Sequence, residues 1–419
     1  MKKINTICLC LFLFVCVMPY LSAVECRVGT TLMYDYNEQW NNIPKGRPPV
    51  LPSVKSVVKK QYFDVHVFLW EFKVANNKAD CTYKIKIITP DGKIYYESKE
   101  SAAYKGIFAG KSIFKVPNNL RICFEPKDPF GKYQIEAVIY DKIEKTEASV
   151  KCSIELKTMP KTYTPLKIGF NKKDKPKLAT NYYRSPQPEK LIPFFLGFCQ
   201  LQKDLVKAKK YDKKKQHACN LLMAFCYYTF KNNQYLIPPL LKIVKNHDIF
   251  YQRNLVFLLH NLNVKDKLSY YKELGKEAQK FAAKLTKTAN PFEFKKIHYS
   301  EQEDILWAEF FATGRYLPIK KLAEVMTQLQ TNMTIEKFKK LKKKTAKDKK
   351  LLYEWLVGLA ARWSLQSNAI QHDLVFYYCE TLYLRDIKDS FVKTCLRGIL
   401  QRAEKIRLSK AVENKIKNK

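Results

Sequence analysis

The sequence lacks the short motifs that mark common catalytic and nucleotide-binding sites. It contains no G-x-S-x-G, no H-E-x-x-H, no Walker A loop, no G-x-G-x-x-G and no C-x-x-C. Each pattern fixes a nucleophile, a pair of zinc ligands, a phosphate-binding backbone or a redox dithiol in a local geometry. We therefore predict no catalytic, metal-binding or cofactor-binding residue, and we expect no cofactor.

Arginine is scarce although the chain is strongly basic. Only 11 of its 76 basic residues are Arg, and the formal net charge is +37. Proteins that bind nucleic acids rely on the planar guanidinium group for bidentate contacts with phosphates and bases. A surplus carried by Lys argues against a nucleic-acid partner, and biased codon usage is a sufficient explanation of it. Such a charge still favours solubility and loose adhesion to anionic surfaces.

The chain also has few glycines, 12 among 419 residues, whereas 46% of its residues are apolar. This composition is typical of a folded chain rather than a fibrous or disordered one. Because a single hydrophobic core rarely extends over so many residues, the length predicts two domains.

Residues 1–23 have the layout of a secretory signal peptide. Lys2 and Lys3 precede an apolar run over residues 7–17, and Ala23 ends a small-residue cleavage site. The run is shorter than the roughly 20 residues that span a bilayer, and we expect no transmembrane segment after cleavage. We predict a soluble exported protein, periplasmic or secreted. A lipoprotein anchored at Cys26 is the alternative, although Glu25 stands where lipidation requires a small residue.

Nine cysteines follow the signal segment. The four in the first half allow two disulfides with three connectivities, and the five in the second half leave an odd thiol. We expect most of them to be small buried hydrophobic residues rather than ligands or nucleophiles. They are Cys26, Cys81, Cys123, Cys152, Cys199, Cys219, Cys226, Cys379 and Cys395.

Residues 24–158 carry the period-two pattern of β-strands. In residues 62–74, Phe63 and Val65 share one side with further apolar residues, and Asp64 and His66 point to the other. We expect His66 to be a half-exposed strand residue rather than a metal ligand. Further strands are predicted at residues 81–89, 94–98, 111–116, 120–124, 133–141 and 148–156.

Three local features refine this prediction. They are the turn Pro90-Asp91-Gly92-Lys93, the run from Gly131 to Ile135 that leads into a strand, and a hairpin closing across residues 142–147. With them the segment resembles the immunoglobulin-like and fibronectin-III-like modules of many exported proteins. The resemblance implies a β-sandwich that serves for binding or as a spacer. It also places Tyr133 at a tyrosine corner, where a phenol bonds back to the main chain.

The second half has helical periodicity. Residues 159–188 are rich in Pro and Lys and are predicted to be a linker. Residues 189–419 show the 3.6-residue period and predict eleven helices. No fixed repeat or known repeat signature is present, so either a solenoid-like array or an irregular bundle fits. The predicted fold is therefore multidomain, an all-β Ig-like sandwich followed by an all-α helical array.

Residues 300–385 show this helical pattern most clearly. Ser300 and Glu303 have the spacing of a capping box, and Gly314 stands where a helix would end in a left-handed turn. Four apolar stripes are predicted to be buried. Their members are Trp307, Phe310 and Phe311; Ile319, Leu322, Met326 and Leu329; Leu352, Trp355, Leu356, Leu359 and Trp363; and Val375, Tyr378, Cys379 and Leu382.

The group most like a metal site is His298 with Glu301, Glu303 and Asp304. Because the acids fall in the first turn of a predicted helix, where they complement the helix dipole, we expect a structural role.

The densest run of positive charge covers residues 337–350, and a second covers residues 207–215. Such runs attract phosphate-rich surfaces, although a solvated helix end is the simpler interpretation. Neither run has the interleaved aromatic residues that stack on bases. The candidate anionic-surface residues are Lys337, Lys339, Lys340, Lys342, Lys343 and Lys344.

These observations favour an exported, non-enzymatic binding or scaffold protein whose partner is another protein or a component of the cell envelope. Two alternatives remain open at this point. One is an envelope-acting hydrolase with its site in the helical domain, and the other is a basic secreted adhesion or effector protein that binds anionic surfaces.

Overall fold

The computed structural model of the chain describes residues 24–32, 35–44, 47, 50–107, 113–169, 177–210, 212–285, 289–331 and 333–417. The predicted signal peptide lies outside these residues. The chain divides into two compact units. The first combines Met1–Thr31 with Ser53–Thr158, and the second combines Leu32–Pro52 with Met159–Lys419. The first is rich in β-strands and the second in helices, which confirms the multidomain division into a β part and a helical part.

The first unit contains a strand at each position where alternation predicted one. In chain order the strands are β1 (Glu25–Thr31), β2 (Ser56–Val58), β3 (Tyr62–Trp70), β4 (Lys78–Ile88), β5 (Ile94–Glu97), β6 (Ser101–Ile107), β7 (Phe114–Lys115), β8 (Leu120–Cys123), β9 (Gly131–Asp141) and β10 (Thr146–Lys157).

These strands form two sheets. In the first sheet β3 pairs antiparallel with β1 along one edge and with β7 and β8 along the other. The second sheet has the order β2-β10-β9-β4, and β5 and β6 both pair with the outer edge of β4. The β2 strand runs parallel to β10, whereas the other pairings in this sheet are antiparallel.

Strand β3 is buried on both sides. Val65 and Leu69 lie in the core as predicted, but Asp64 and His66 on the opposite side are buried as well. Arg121 of β8 binds the Asp64 carboxylate through two bonds of 2.8 and 2.9 Å, so this buried charge is paired. The expectation that His66 is half-exposed is wrong. Burial, with the nearby charges of Lys115 and Arg121, lowers the pKa of His66 to about 3.

Tyr133 at the start of β9 makes the bond expected of it. Its buried hydroxyl donates to the carbonyl oxygen of Pro129 at 2.9 Å. The predicted turn before β5 is also present, because Gly92 has a φ of 85° and the Lys93 carbonyl accepts from the amide of Thr89 at 2.9 Å. Both features fix the ends of strands through main-chain groups.

The nine cysteines that follow residue 23 are free thiols. Six of them are buried, namely Cys81, Cys199, Cys219, Cys226, Cys379 and Cys395. The disulfides that the first half allows are therefore not formed. The thiols act as small apolar side chains in the two cores.

The segment that follows β1 belongs to the helical unit. Sequence analysis placed it with the sandwich, as an irregular lead-in within residues 24–158. In the structure it forms helix α1 (Tyr36–Asn41), and Leu32–Pro52 groups with the helices. Its contacts explain the difference, because Arg385 donates to the Asn41 carbonyl at 3.1 Å and Arg47 lies 3.4 Å from the carboxylate of Glu380.

The predicted linker also packs on helices. The amide of Leu166 donates to the carbonyl of Pro193 at 2.9 Å, and the chain passes so close to Gly197 that a Cβ there would lie 2.0 Å from the Leu166 oxygen. Helix α2 (Lys177–Asn181) follows, and Tyr182 beyond it is buried in the helical core. The described part of residues 159–188 is thus packed rather than extended.

All eleven predicted helices are present, one of them divided in two by Gly275 at a φ of 100°. They are α3 (Leu191–Lys207), α4 (Lys213–Asn232), α5 (Ile237–Val244), α6 (Ile249–Leu262), α7 (Lys267–Leu274), α8 (Lys276–Leu285), α9 (Ser300–Thr313), α10 (Tyr316–Val325), α11 (Ile335–Lys340), α12 (Ala346–Gln371), α13 (Asp373–Thr381) and α14 (Ser390–Lys417).

Consecutive helices contact each other, but helices that are distant in the chain also pack together. Helix α9 packs against α4, α10 against α13, and α12 against α14, so partners are often several elements apart. A solenoid repeat touches only its neighbours along the chain. Of the two architectures left open by the sequence, the pairing in this unit matches the irregular bundle.

The start of α9 differs from the predicted capping box. Its N-cap is Tyr299, and the side chain of Gln302 accepts from the amides of His298 at 2.6 Å and Tyr299 at 3.2 Å. The Ser300 and Glu303 pair is therefore not the cap, because the helix begins one residue earlier than predicted. The left-handed end at Gly314 is confirmed by a φ of 68°.

Helix α12 buries a different face from the predicted one. Its buried side consists of small and medium residues, and three members of the predicted stripe are exposed instead. Because Gly358 allows α12 to approach the backbone of Leu329 closely, this small-residue face is the one that packs. The buried residues are Val357, Gly358, Ala361, Leu365 and Ala369, and the exposed ones are Leu356, Leu359 and Trp363.

Candidate functional site

The strongest candidate site is a cavity of about 430 Å³ in the helical unit, here named the carboxylate cavity. Its walls come from α4, α9, α10 and the connection that precedes α9. Three carboxylates, those of Asp35, Glu293 and Glu309, and three cations face it, together with aromatic side chains. The charged residues that the following paragraphs use are Lys231, Glu293, Glu309, Arg315 and Lys321.

Glu309 is the most enclosed acid of this cavity, with 13% of its side chain exposed. It lies on the face of α9 that packs toward α4. Burial raises the pKa of Glu309, while the positive charges of Arg315, Lys321 and Lys231 act in the opposite direction. The Arg315 guanidinium lies 3.5 Å from its carboxylate. Glu309 is thus a buried acid whose charge is partly balanced by nearby cations, with Arg315 within ion-pair distance.

Glu293 lies in the opposite environment. The hydroxyl of Tyr227 donates to its carboxylate at 2.6 Å, and the Lys231 ammonium lies 3.0 Å from the same oxygen. These two bonds lower the pKa of Glu293, which stays ionised near neutral pH. The carboxylate cavity therefore holds two acids whose surroundings shift their pKa values in opposite directions.

Arg315 fixes one wall of the cavity. Its guanidinium lies 3.1 Å from Glu38 and 3.4 Å from Asp35, both in the segment around α1. Glu38 also accepts from the amides of Tyr316 and Leu317 at 3.1 and 3.3 Å, which satisfies free N–H groups in the first turn of α10. The segment that leaves the β unit after β1 thus holds Arg315 beside Glu309.

A second cavity, of about 780 Å³, adjoins the first. We name it the lysine cavity because Lys295, Lys296, Lys321 and Lys350 line it together with only two acids, Glu324 and Glu354. Tyr299 and Tyr353 also face it, with ring centroids 5.9 Å apart in an edge-to-face arrangement.

Lys321 lies at the junction, because it lines both cavities. Its ammonium approaches the Phe294 carbonyl at 3.5 Å and the face of that ring at 5.9 Å. Among the described residues, no carboxylate lies within ion-pair distance of it. Lys321 is therefore a cation available to a ligand.

A third cavity, of about 500 Å³, shares Lys231 and Glu293 with the carboxylate cavity and is also lined by Tyr227 and His260. The three cavities thus adjoin one another in a row, which we call the furrow. A furrow of this kind fits an elongated ligand better than a compact one.

The basic residues singled out from the sequence lie elsewhere. Lys337, Lys339 and Lys340 are exposed on α11, and Lys342, Lys343 and Lys344 are exposed in the connection to α12. The Lys344 ammonium stands 5.4 Å above the ring of Phe338. None of the six lines a cavity of the furrow.

The four-residue group that most resembled a metal site does not converge. Glu301 is exposed and accepts from Ser300 at 3.4 Å, and Asp304 lies 2.7 Å from Nε2 of His217. Glu303 is buried beneath the surface of the same helix. Across the part of the chain that the structure describes, no group of three or more His, Cys, Asp and Glu residues could hold a metal ion.

Glu303 has an unusual position within this group, since only 3% of the residue is exposed. Its Oε1 atom has no hydrogen-bond partner among the described residues. Burial, with the nearby charge of Asp304, raises the pKa of Glu303 to about 8. This carboxyl group therefore keeps its proton to a higher pH than an ordinary Glu.

Sequence reasoning did not identify the residues of the carboxylate cavity. Glu309 is the single acid within the aromatic run that ends α9. An isolated acid in an apolar stretch can indicate a buried functional residue, so this one was detectable from the sequence. Glu293 and Arg315 carried no such signal, because their importance depends on partners brought together by the bundle.

Comparisons with known proteins identify no family. No family model matches the chain, and no curated protein matches it. Among solved structures, it aligns with a family 123 glycoside hydrolase from Clostridium perfringens, studied for glycolipid glycan hydrolysis, at 12% identity and a TM-score of 0.20. The alignment covers 40% of this chain and 33% of that one, so this chain spans about a third of the hydrolase. A TM-score this low indicates neither a shared fold nor a shared activity.

Within the described residues, every helix is too short or too polar to cross a bilayer.

Proposed function

We propose that this protein is an exported binding protein whose helical unit holds an elongated anionic ligand in the furrow. The observation that carries the proposal is the position of Lys321 at the junction of the lysine and carboxylate cavities. Among the described residues no carboxylate lies within ion-pair distance of its ammonium group, whereas Lys231 and Arg315 are already paired with acids.

The lining of the lysine cavity supports an acidic saccharide chain as the ligand. Four Lys side chains against two Glu give the cavity a positive potential that attracts carboxylate or phosphate groups. The rings of Tyr299 and Tyr353 offer rigid, partly apolar surfaces with a polar tip, which suit flat sugar faces. Acidic polysaccharides of the cell envelope combine these two chemical features.

We further propose that the β unit is an Ig-like sandwich that serves as a binding module or spacer. The sheet order β2-β10-β9-β4, extended by β5, and the antiparallel sheet around β3 support this assignment. So does the bond from Tyr133 to Pro129 at the start of β9, since such a bond marks the same corner in immunoglobulin domains.

The binding proposal can be tested by calorimetric titration with an oligogalacturonate, using a neutral galactan oligosaccharide of equal length as the comparison. We expect binding of the acidic chain only, and weaker binding at higher salt. Lys321→Met keeps most of the apolar stem but removes the charge, so affinity should fall about tenfold, the usual effect of one lost charge-assisted contact.

Lys272→Met, which changes an exposed Lys on α7 away from the furrow, is the matched control and should bind like the wild type. Equal affinity for the acidic and neutral chains, or an unchanged affinity in Lys321→Met, would contradict the proposal. Binding of an acidic peptide in preference to the saccharide would assign the furrow to a protein partner instead.

A hydrolase is the second candidate, and a specific observation favours it. Glu309 and Glu293 face one cavity, and their pKa values are shifted in opposite directions, up for Glu309 and down for Glu293. Such a pair matches the general acid and the ionised carboxylate of glycoside hydrolysis. We rank it second because each carboxylate is already bound to a cation of the protein.

Release of new reducing ends from the oligogalacturonate would reveal this activity. Glu309→Gln and Glu293→Gln should then each abolish turnover while binding persists. If no reducing ends appear although the saccharide is bound, the furrow is a binding site alone.

A further inference from the structure

The exposed face of α12 has the character of an interaction surface. Leu356, Leu359 and Trp363 are 37%, 38% and 69% exposed, and their spacing of three and four residues places them on one side of the helix. We call these three residues the apolar stripe. Exposed apolar residues aligned on one side of a helix form a candidate interaction surface.

The packing of α12 explains why the stripe faces outward. The helix approaches Leu329 through Gly358, where an added Cβ would lie only 3.0 Å from the Leu329 backbone nitrogen. Small residues therefore occupy the buried side. The helix cannot rotate to bury the apolar stripe without losing this contact, so the stripe is a fixed property of the fold.

The surroundings of the apolar stripe are positively charged. Lys349 is exposed seven residues, or about two turns, before Leu356 and therefore lies on the same side of the helix. Lys342, Lys343 and Lys344 are exposed immediately before α12, and within the described part of the chain no carboxylate forms an ion pair with them. The two acids at this end are engaged locally, since Asp348 accepts from Thr345 and Glu354 lies 4.0 Å from Lys350.

We propose that the apolar stripe, with the lysines that precede it, is the surface by which this protein lies on an anionic lipid bilayer. Apolar side chains and exposed Lys residues arranged along one helix form the usual combination for shallow insertion at a headgroup boundary. The charge selects this occupant. A second copy of the same basic surface would place like charges against each other, whereas anionic lipid complements them.

This inference is independent of the furrow, because none of the three stripe residues lines its cavities. Tyr353 and Lys350 of the same helix do line the lysine cavity, and they are left unchanged in the test below.

Vesicle flotation with the full chain provides the test. The wild type should bind vesicles that contain about 30% phosphatidylglycerol and should bind pure phosphatidylcholine weakly, because each lysine near the surface adds electrostatic attraction. Trp363→Ser and Leu359→Ser should each reduce binding to anionic vesicles by about tenfold, because an inserted apolar side chain is lost. Replacing Lys342, Lys343 and Lys344 by Glu should abolish it.

Leu268→Ser is the matched control, since Leu268 is 71% exposed on α7, away from the apolar stripe, and its replacement should leave flotation unchanged. All variants change exposed residues, and circular dichroism verifies that each is folded. Wild-type flotation by the stripe variants would overturn the proposal. Concentration-dependent dimers that Leu359→Ser abolishes, in the absence of flotation, would also overturn it and assign the stripe to a second copy.

Discussion

The substitution Glu303→Gln tests whether a buried neutral carboxyl group controls the stability of the helical unit. Glu303 lies on α9 with 3% of its surface exposed and with an unbonded Oε1 among the described residues. The side chain of Gln has nearly the same shape but cannot ionise. The variant therefore removes one titration from the unit and leaves the packing of the helix almost unchanged.

The magnitude follows from the pKa of Glu303, which is about 8 in the folded protein and 4.5 in an unperturbed Glu. Between these values the unfolded chain is ionised while the folded chain holds its proton. Stability is therefore fully present below pH 4.5 and is lost as the pH rises toward 8. At 1.36 kcal/mol per pKa unit, the wild type should lose on the order of 3 kcal/mol between pH 5 and pH 8, a loss that Glu303→Gln should escape.

Urea denaturation of both proteins, followed by the helical circular dichroism signal at several pH values, measures this difference. We expect the two curves to nearly coincide at pH 5 and the variant to be the more stable one at pH 8. Glu301→Gln is the matched control, because that acid is exposed two positions earlier on the same helix and its removal should change stability little at any pH.

The reasoning fails if the difference between wild type and Glu303→Gln is constant with pH. It also fails if the variant is the less stable protein at pH 8, since Glu303 would then be ionised and bound to a cation in the folded state.

Two further predictions concern packing and hydrogen bonding. Gly358→Ala should destabilise the helical unit by about 1 to 2 kcal/mol, because the new Cβ would clash with the Leu329 backbone. Gly398 has open space around it, so Gly398→Ala should stabilise the unit by up to about 1 kcal/mol through the higher helix propensity of Ala. Equal effects of these two changes on the urea midpoint would contradict the close approach. Tyr133→Phe should cost about 1 kcal/mol through loss of the bond to Pro129, and an unchanged unfolding free energy of the β unit would show that this bond contributes nothing.

The types and positions of the elements could be predicted because they depend on local periodicity. Strand β3 appears within a few residues of the predicted bounds, and helix α6 lies within the region predicted to be helical. Side-chain alternation and the 3.6-residue repeat each act over one element, so no distant contact is needed to detect them. The left-handed turn at Gly314 was predictable for the same reason.

The orientation of α12 could not be predicted in this way. Both of its sides carry apolar residues at helical spacing, the large ones around Leu356 and the smaller ones around Ala361. Periodicity alone favours the larger residues as core. The deciding contact is the approach of Gly358 to Leu329, which depends on how the short segment after α10 is placed.

The carboxylate cavity could not be predicted from the sequence for a related reason. Glu38 and Arg315 are 277 positions apart, and their contact positions Arg315 beside Glu309. A local sequence pattern cannot predict the role of an acid whose partner lies so far along the chain. The same holds for the segment around α1, whose membership in the helical unit depends on contacts with the distant residues Arg315, Glu380 and Arg385.

The use of Arg and Lys in the structure shows which partners the basic charge can serve. Arg121, Arg315, Arg385 and Arg407 all bind acids or carbonyls of the protein itself, so the scarce guanidinium groups are largely occupied. The exposed charge is left to Lys, a point charge without the fork geometry that reads bases. Free lysines attract any dense array of negative charge, including acidic saccharides and anionic headgroups. We therefore expect the molecule to bind an anionic saccharide or lipid surface in preference to nucleic acid, and a salt-dependent preference for duplex DNA over both of these partners would contradict that expectation.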